Sequence, residues 1–167
     1  MGNRKANQTS VLASAFILLF VLSLSPSSSM AEEISWIGTS GDWNVPENWN
    51  PNHVPSAGDN VSISVEGAAV NLNRSYFGNA PSSLTLGGSG AAGATLNNHG
   101  YYIAPMSGDL VLGKSSGTTG TFNLNSGGLY VKDDTVVGDS GTGIFNQSGG
   151  FHTLDNKLII GRIDGSS

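Results

Sequence analysis

The sequence predicts an all-β protein that folds as a parallel β-helix, or β-solenoid, of about three to four coils. A short apolar run closed by glycine recurs four times, and the closing glycines are 26, 25 and 23 residues apart. The four copies are residues 84–87, 110–113, 135–138 and 158–161. A second phrase, Phe-Asn followed by Ser-Gly-Gly, recurs within residues 120–128 and 143–150. These runs are β-branched or aromatic and lie between Gly, Ser, Asn and Asp, which favours strands and turns over helices.

The first 31 residues are predicted to be a signal peptide. Arg4 and Lys5 form a basic start, residues 11–24 are apolar or small without a charge, and Ser29-Met30-Ala31 is a small-x-small cleavage site. The apolar run is too short to span a bilayer comfortably, so we expect cleavage and export. No transmembrane helix is predicted in the mature chain.

The composition of the mature chain excludes some classes of partner. Beyond the signal peptide, five basic residues stand against 12 acidic ones, which gives a net charge of −7. Nucleic acid is not an expected partner, because binding to the phosphate backbone needs clustered Lys and Arg. The chain has no cysteine, so its stability must come from stacked strands and a repeated core.

Residues 32–65 are predicted to form an N-terminal cap and the first strand. The segment contains all three tryptophans of the chain, Trp36, Trp43 and Trp49. Bulky aromatics folded over the first coil would shield its apolar end and its strand edges. In a second hypothesis these indole rings are the platform of a carbohydrate-binding module, because indole faces stack on sugar rings.

Residues 66–167 are predicted to form the coils. A repeat of this length matches one coil, and each coil should stack about 4.8 Å above the last. We expect Phe122 and Phe145 to stack inside the solenoid, and Asn123 and Asn146 to form an amide ladder that Asn97 could begin. The last copy stops before its Phe-Asn strand, so the chain is predicted to be a fragment whose solenoid continues.

Strand alternation assigns the apolar runs to two faces. Alternate residues of each run face the interior in this prediction, and the glycines that close the runs turn the chain. The predicted structural glycines are Gly113, Gly138 and Gly161. The residues between the inward pairs, Val111, Val136 and Ile159, would form an apolar outer stripe, either from strand preference or as a packing surface for another molecule.

Asp109 and Asp134 each precede the glycine-closed strand of their coils, and Lys157 has the corresponding place in the next coil. Two carboxylates stacked about 5 Å apart could bind calcium or act as the acid and nucleophile of a retaining glycosidase. Asp is also an ordinary turn residue, and this interpretation needs no ligand. We therefore predict no catalytic residue and no cofactor, and keep calcium at Asp109 and Asp134 as an alternative.

Other candidate sites are weaker than these. Residues 108–115 fit the phosphate-loop pattern, but the pattern requires a helix after the loop, and a Gly- and Thr-rich turn follows here. His53, His99 and His152 are isolated in sequence and show no metal-ligand spacing. We expect all three histidines on the surface, with His152 pointing outward between its neighbours.

A family resemblance follows from the longer motifs. Trp36-x-Gly38-x-x-Gly41-Asp42-Trp43, followed by Asn48-Trp49, precedes repeats such as residues 137–150, which read Val-Gly-Asp-Ser-Gly-Thr-Gly-Ile-Phe-Asn-Gln-Ser-Gly-Gly. This arrangement resembles bacterial secreted surface proteins, the large β-helical repeat proteins of the autotransporter-passenger and PEP-CTERM-sorted kind. The resemblance implies a rod-like solenoid at the cell surface, on the outer surface of a Gram-negative bacterium.

The predicted function is a non-enzymatic, structural or adhesive surface at the outside of the cell. Its expected partners are surface glycans or other surface proteins. A solenoid supplies a rigid rod without converging titratable groups, so function should lie in exposed ladders and loops. The alternatives are a polysaccharide-active lyase or glycosidase at Asp109 and Asp134, and the tryptophan platform.

Overall fold

The computed structural model describes residues 31–90 and 93–162. Within these ranges the chain is a parallel β-solenoid of about five turns, so the predicted all-β fold class is confirmed. The predicted signal peptide, residues 1–31, lies outside the described residues except for Ala31. The repeats therefore define the architecture, with more coils than the three to four expected.

The regular elements within the described residues are fourteen strands and one short 3-10 turn, Pro46–Asn48. The strands are β1 (Glu33–Trp36), β2 (Ser40–Asp42), β3 (Trp49–Asn50), β4 (Asn60–Ile63), β5 (Ala68–Leu72), β6 (Tyr76–Phe77), β7 (Ser83–Leu86), β8 (Ala94–Met106), β9 (Leu110–Leu112), β10 (Thr119–Val131), β11 (Thr135–Val137), β12 (Thr142–Gln147), β13 (Phe151–Leu154) and β14 (Leu158–Ile160). Most are short because glycine-containing turns interrupt each coil.

The strands form two sheets that run along the solenoid. The first sheet has the order β3-β1-β4-β7-β9-β11-β14, and only the β1–β3 pair is antiparallel. The second sheet has the order β2-β5-β8-β10-β12, with β6 paired to β8 and β13 paired to β10. From β4 onward, each coil thus contributes one strand to the first sheet and one long or two short strands to the second.

Alternation along the strands places the core between the sheets, as predicted. Leu84, Leu86, Leu110 and Leu112 are fully buried, and the coils are in register at these positions. In the second sheet Phe122 lies beside Phe145, with ring centroids 5.4 Å apart and planes within 5° of each other. The predicted stack inside the solenoid is confirmed.

The tryptophan-rich segment is part of the solenoid as well as its cover. Its strands β1 and β4 pair in parallel with the coils that follow, which accounts for the extra turns. Trp36, Trp43 and Trp49 are buried, and Trp49 packs edge-on against the other two rings at centroid distances of 5.0 and 4.8 Å. The indole N–H of Trp49 donates a 2.7 Å hydrogen bond to the Trp43 carbonyl.

The opposite end of the solenoid is less covered. Leu158 and Ile160 occupy positions that are buried in earlier coils, yet they are 51% and 74% exposed. Their strand β14 pairs only with β11 among the described strands. Hydrophobic burial therefore weakens towards this end.

Across residues 31–90 and 93–162, the structure contains no helix that could span a lipid bilayer.

Candidate functional site

Asp109 and Asp134 lie on one edge of the solenoid, at the turns that lead into β9 and β11. Oδ1 of Asp109 accepts a hydrogen bond from the backbone N–H of Asp134 at 3.0 Å. Oδ1 of Asp134 accepts one from the backbone N–H of Lys157 at 3.2 Å. Each carboxylate therefore accepts a hydrogen bond from a backbone N–H of the following coil and joins successive coils.

A third carboxylate, which the sequence analysis did not single out, joins this edge. Carboxylate oxygens of Asp109, Asp133 and Asp134 lie within 4.8 Å of one another. One oxygen of Asp133 also accepts a hydrogen bond from the Asn156 side-chain amide at 3.1 Å. Hard cations such as calcium prefer oxygen ligands of this kind. Calcium binding at Asp109 and Asp134 remains a prediction, now with Asp133 as a further oxygen donor.

A groove lies elsewhere, on the outer face of the first sheet. It has a volume of about 570 Å³ and is open to solvent, and its lining does not include Asp109 or Asp134. The lining residues are Glu33, Asn60, Val61, Ser62, Ser83, Thr85, Gly88, Ser89, Lys114 and Ser115. Several polar groups there already bond to each other, as Asn60 does with Glu33 and Ser83 at 2.8 Å.

The three tryptophans cannot act as a sugar platform in this structure. Trp36, Trp43 and Trp49 are at most 2% exposed, so no indole face is open to a ligand. The sequence hypothesis of glycan contacts at these residues is wrong because their rings fill the first coils. Indole is large and apolar enough to serve either role, and only its packing distinguishes them.

An amide ladder runs along the outer face of the second sheet. The side-chain amide of Asn123 donates to Asn97 at 2.8 Å, and the amide of Asn146 donates to Asn123 at 2.9 Å. Asn97 in turn donates to Asn71 at 3.2 Å. The ladder predicted from Asn97 to Asn146 is present and extends one coil further, because all four residues share one register.

The histidines are separated from one another, but one is not on the outside. His152 pairs in register with the buried Leu129, and its ring stacks on Phe145 at a centroid distance of 4.8 Å. Its Nε2 is 3.1 Å from the Thr135 hydroxyl. The prediction of an outward His152 is therefore wrong. Burial lowers the pKa of its imidazole.

The predicted apolar outer stripe is in register, but its central residue, Val136, is not exposed to solvent as expected. Val136 pairs with Val111 on one side and with Ile159 on the other. Val136 is 1% exposed, whereas its two neighbours are half-buried. The alternative that another molecule packs on this stripe stays a hypothesis.

A row of aromatic rings is the surface feature that the sequence analysis missed. Phe77, Tyr102 and Phe151 come from different coils and contact one another on the outside of the second sheet. They are 25 and 49 residues apart, which is close to one and two repeat lengths. The repeat does not predict the row, because Phe77 pairs in register with Ala104 and not with Tyr102, and Gly128 stands between Tyr102 and Phe151.

Comparisons of the chain with protein-family models, with curated protein sequences and with solved structures gave no significant match. Solenoid architecture alone does not define an activity, because one fold supports many functions. The functional argument therefore rests on the surfaces described above.

Proposed function

We propose that this chain is an exported β-solenoid that acts as a rigid structural or adhesive element on the cell surface and not as an enzyme. One observation carries the proposal: the coils stack in register, so that a single outward position becomes a continuous row of asparagine side chains from Asn71 to Asn146. Such rows repeat at the coil spacing and suit contact with extended polymers or neighbouring surface proteins.

The use of the polar side chains also supports a non-enzymatic role. Asp109 and Asp134 are engaged in hydrogen bonds that join successive coils. A catalytic pair would have to face a cleft that holds substrate, and the groove lined by Glu33 and Lys114 does not include either aspartate.

Export and surface location rest on the sequence. Residues 1–31 have the charge, apolar core and cleavage site of a signal peptide. The motifs of residues 36–49 and 137–150 resemble those of bacterial surface β-helical repeat proteins. We therefore propose the outer surface of a Gram-negative bacterium as the location.

Expression of the full chain with a C-terminal epitope tag in a Gram-negative host tests this proposal. We expect the N-terminus of the mature protein near Glu32, and tag and chain accessible to protease added outside the cells. The variant Leu18→Arg places a charge in the apolar run and should retain the precursor inside. Cells in which the wild-type chain stays unprocessed and inaccessible would contradict the proposal.

A polysaccharide-active enzyme is the competing function, and the three clustered carboxylates are the observation that favours it. A retaining glycosidase uses two carboxyl groups about 5 Å apart. We expect no release of reducing ends or unsaturated products from cell-wall or algal polysaccharides. Turnover that disappears in a folded Asp134→Asn variant would establish the enzyme instead.

A further inference from the structure

The last described coil of the solenoid exposes side chains that point towards the core. Leu158 and Ile160 of β14 are in register with interior positions of the earlier coils, yet they are 51% and 74% exposed. Leu110 and Leu112 have the same positions in β9 and are fully buried. The difference arises because no described strand lies beyond β14 in the first sheet.

The second sheet shows the same change at this end. Phe145 of β12 and Leu154 of β13 are half-buried, whereas their register partners in β10, Phe122 and Val131, are fully buried. Contiguous apolar surface marks an interaction site more often than single scattered residues do. We call this surface the open end. It consists of Phe145, Leu154, Leu158 and Ile160.

The backbone at the open end also lacks strand partners. Within the described residues, β14 pairs only with β11, and β12 and β13 pair only with β10. All three strands therefore have a free edge on the same side of the molecule. A free edge with apolar side chains is a template for pairing with a strand of another chain.

The opposite end of the solenoid does not offer a matching surface. Trp36, Trp43 and Trp49 are at most 2% exposed there and close the core. The edge strand β3 runs antiparallel to β1 and is followed by Pro51, which has no backbone N–H to donate. Head-to-tail stacking of two copies would therefore place an open core against a closed one.

A second copy that is turned through 180° about an axis perpendicular to the first sheet does match. This two-fold rotation makes the two β14 strands antiparallel, with Ile159 opposite its own counterpart and Leu158 opposite Ile160. Residues directly opposite each other in an antiparallel pair point to the same face. Leu158 and Ile160 of both copies would then continue one core. The same rotation brings β12 of one copy beside β13 of the other.

The charge near the open end also favours a second copy. Residues 132–162 contain three basic and four acidic side chains and have a net charge of −1, against −7 for the predicted mature chain. Most of the negative charge thus lies away from this end, so repulsion between two copies is small. A strongly acidic or basic partner would find no excess of the opposite charge. The charged residues are Lys132, Asp133, Asp134, Asp139, Asp155, Lys157 and Arg162.

We propose that the open end is an isologous interface through which two copies of this chain form a head-to-head dimer. The interface buries the exposed Leu158 and Ile160 and gives the free edges of β12, β13 and β14 partners. Because each copy uses its open end once, assembly stops at two chains. The proposal does not depend on the export or the surface location proposed above.

Sedimentation velocity of the purified full chain over a concentration series tests the proposal. We expect the mass to rise from one chain to two. The variant Ile160→Asp places an unpaired charge in the interface, and its association constant should fall about tenfold or more. Ile37→Asp is the matched control, because Ile37 is 57% exposed and lies outside the open end. It should dimerise as the wild type does. Circular dichroism and thermal unfolding verify that both variants fold.

A single introduced cysteine tests the two-fold geometry, because the chain has no cysteine of its own. Opposite residues of an antiparallel pair have Cα atoms about 4.5–5.5 Å apart, which suits a disulfide. Ile159→Cys should therefore cross-link two copies on oxidation, as a non-reducing gel would show. Ile37→Cys should not cross-link at the same protein concentration.

Several outcomes would overturn the proposal. A chain that stays monomeric at about 100 µM would do so and would leave the open end to a further coil of a longer chain or to a different protein. A dimer that persists in Ile160→Asp, or growth into long polymers, would also contradict it. Dilution separates the copies, so amide exchange of residues 158–160 should be fast in the dilute monomer and slower at high concentration. Equal exchange in a dimeric and a monomeric sample would place the contact elsewhere.

Discussion

Single glycines set how closely one coil can lie on the next. Gly113 has φ +66°, and a Cβ atom there would be 2.3 Å from the backbone oxygen of Thr142 in the following coil. Gly117 also has positive φ, +78°, but no atom lies within 4 Å of the place of a Cβ. The two positions separate the effect of backbone conformation from the effect of close stacking.

We predict that Gly113→Ala destabilises the protein more than Gly117→Ala. Left-handed backbone costs an alanine about 1–2 kcal/mol at either position. Gly113→Ala must also displace the neighbouring coil, which adds roughly 1–3 kcal/mol. Urea unfolding of both variants measures the difference. Equal losses in the free energy of unfolding would show that coil spacing at Gly113 is not limiting.

Two histidines should give the stability opposite dependences on pH. Burial lowers the pKa of His152, so below the ordinary value of 6.5 the unfolded chain binds protons more readily than the folded one. The contribution of the neutral His152 imidazole to the free energy of unfolding is complete above about pH 6.5 and is lost as the pH falls through the folded-state pKa. The hydrogen bond with Glu32 raises the pKa of His53. The contribution of the protonated His53 to the free energy of unfolding is therefore complete below pH 6.5 and is lost as the pH rises through the folded-state pKa.

We predict that His152→Gln reduces the loss of stability between about pH 6.5 and pH 5. The reason is that the variant has no imidazole to protonate on unfolding. Thermal unfolding at stepped pH measures the slope, and His53→Gln is the control, which should leave this acidic slope in place. An unchanged slope in His152→Gln would contradict the burial of its ring.

At the scale of elements, the strands of the second sheet are joined by side chains as well as by backbone. Phe122 and Phe145 stack between β10 and β12 on the inside, and Asn123 and Asn146 bond between the same strands on the outside. Asn123 is in the middle of its ladder and makes two amide bonds, whereas Asn146 makes one with the described residues. Position along the solenoid should therefore determine the effect of a substitution.

We predict that Asn123→Ala costs roughly twice as much stability as Asn146→Ala. A net contribution of about 1 kcal/mol per hydrogen bond gives losses near 2 and 1 kcal/mol. Chemical denaturation of the two variants measures them. Similar small losses in both would mean that water replaces the amide partners at these half-exposed positions.

At the scale of the whole molecule, the strands of each coil in the described ranges pair only with strands of the adjacent coils. The first coils are covered by the tryptophan cluster, and the last described strand, β14, has Ile160 74% exposed. Stability in such a structure is approximately a sum of coil and interface contributions. The two ends should therefore open at different free energies.

We predict a gradient of amide hydrogen exchange along the chain. Strands β8 and β10 are paired on both sides and should exchange slowest, whereas β12, β13 and β14 should exchange fastest. Mass spectrometry of peptides from each coil measures this order. Uniform protection from residue 33 to residue 160 would indicate one all-or-none unit instead.

The sequence by itself determined the coil, because residues that stack at a fixed period repeat in the chain. Phe122 with Phe145, and Asn123 with Asn146, could be paired from spacing alone. The turn glycines could be assigned in the same way. Stacking of identical side chains requires the same residue at the same position of each repeat, so this part of the fold can be predicted from the sequence.

Tertiary structure alone decided the features for which the repeat is imperfect. Register shifts between β8 and β10 show that the coils differ by a residue, and such a slip reverses the face of the side chains that follow it. The inward side chain of His152 became evident from its pairing with the buried Leu129. Trp49 could cover a core or bind a sugar until its burial was known. The row of Phe77, Tyr102 and Phe151 could be recognised only in the tertiary structure. Gly128, which has no side chain, lies between Tyr102 and Phe151 and allows their rings to come into contact.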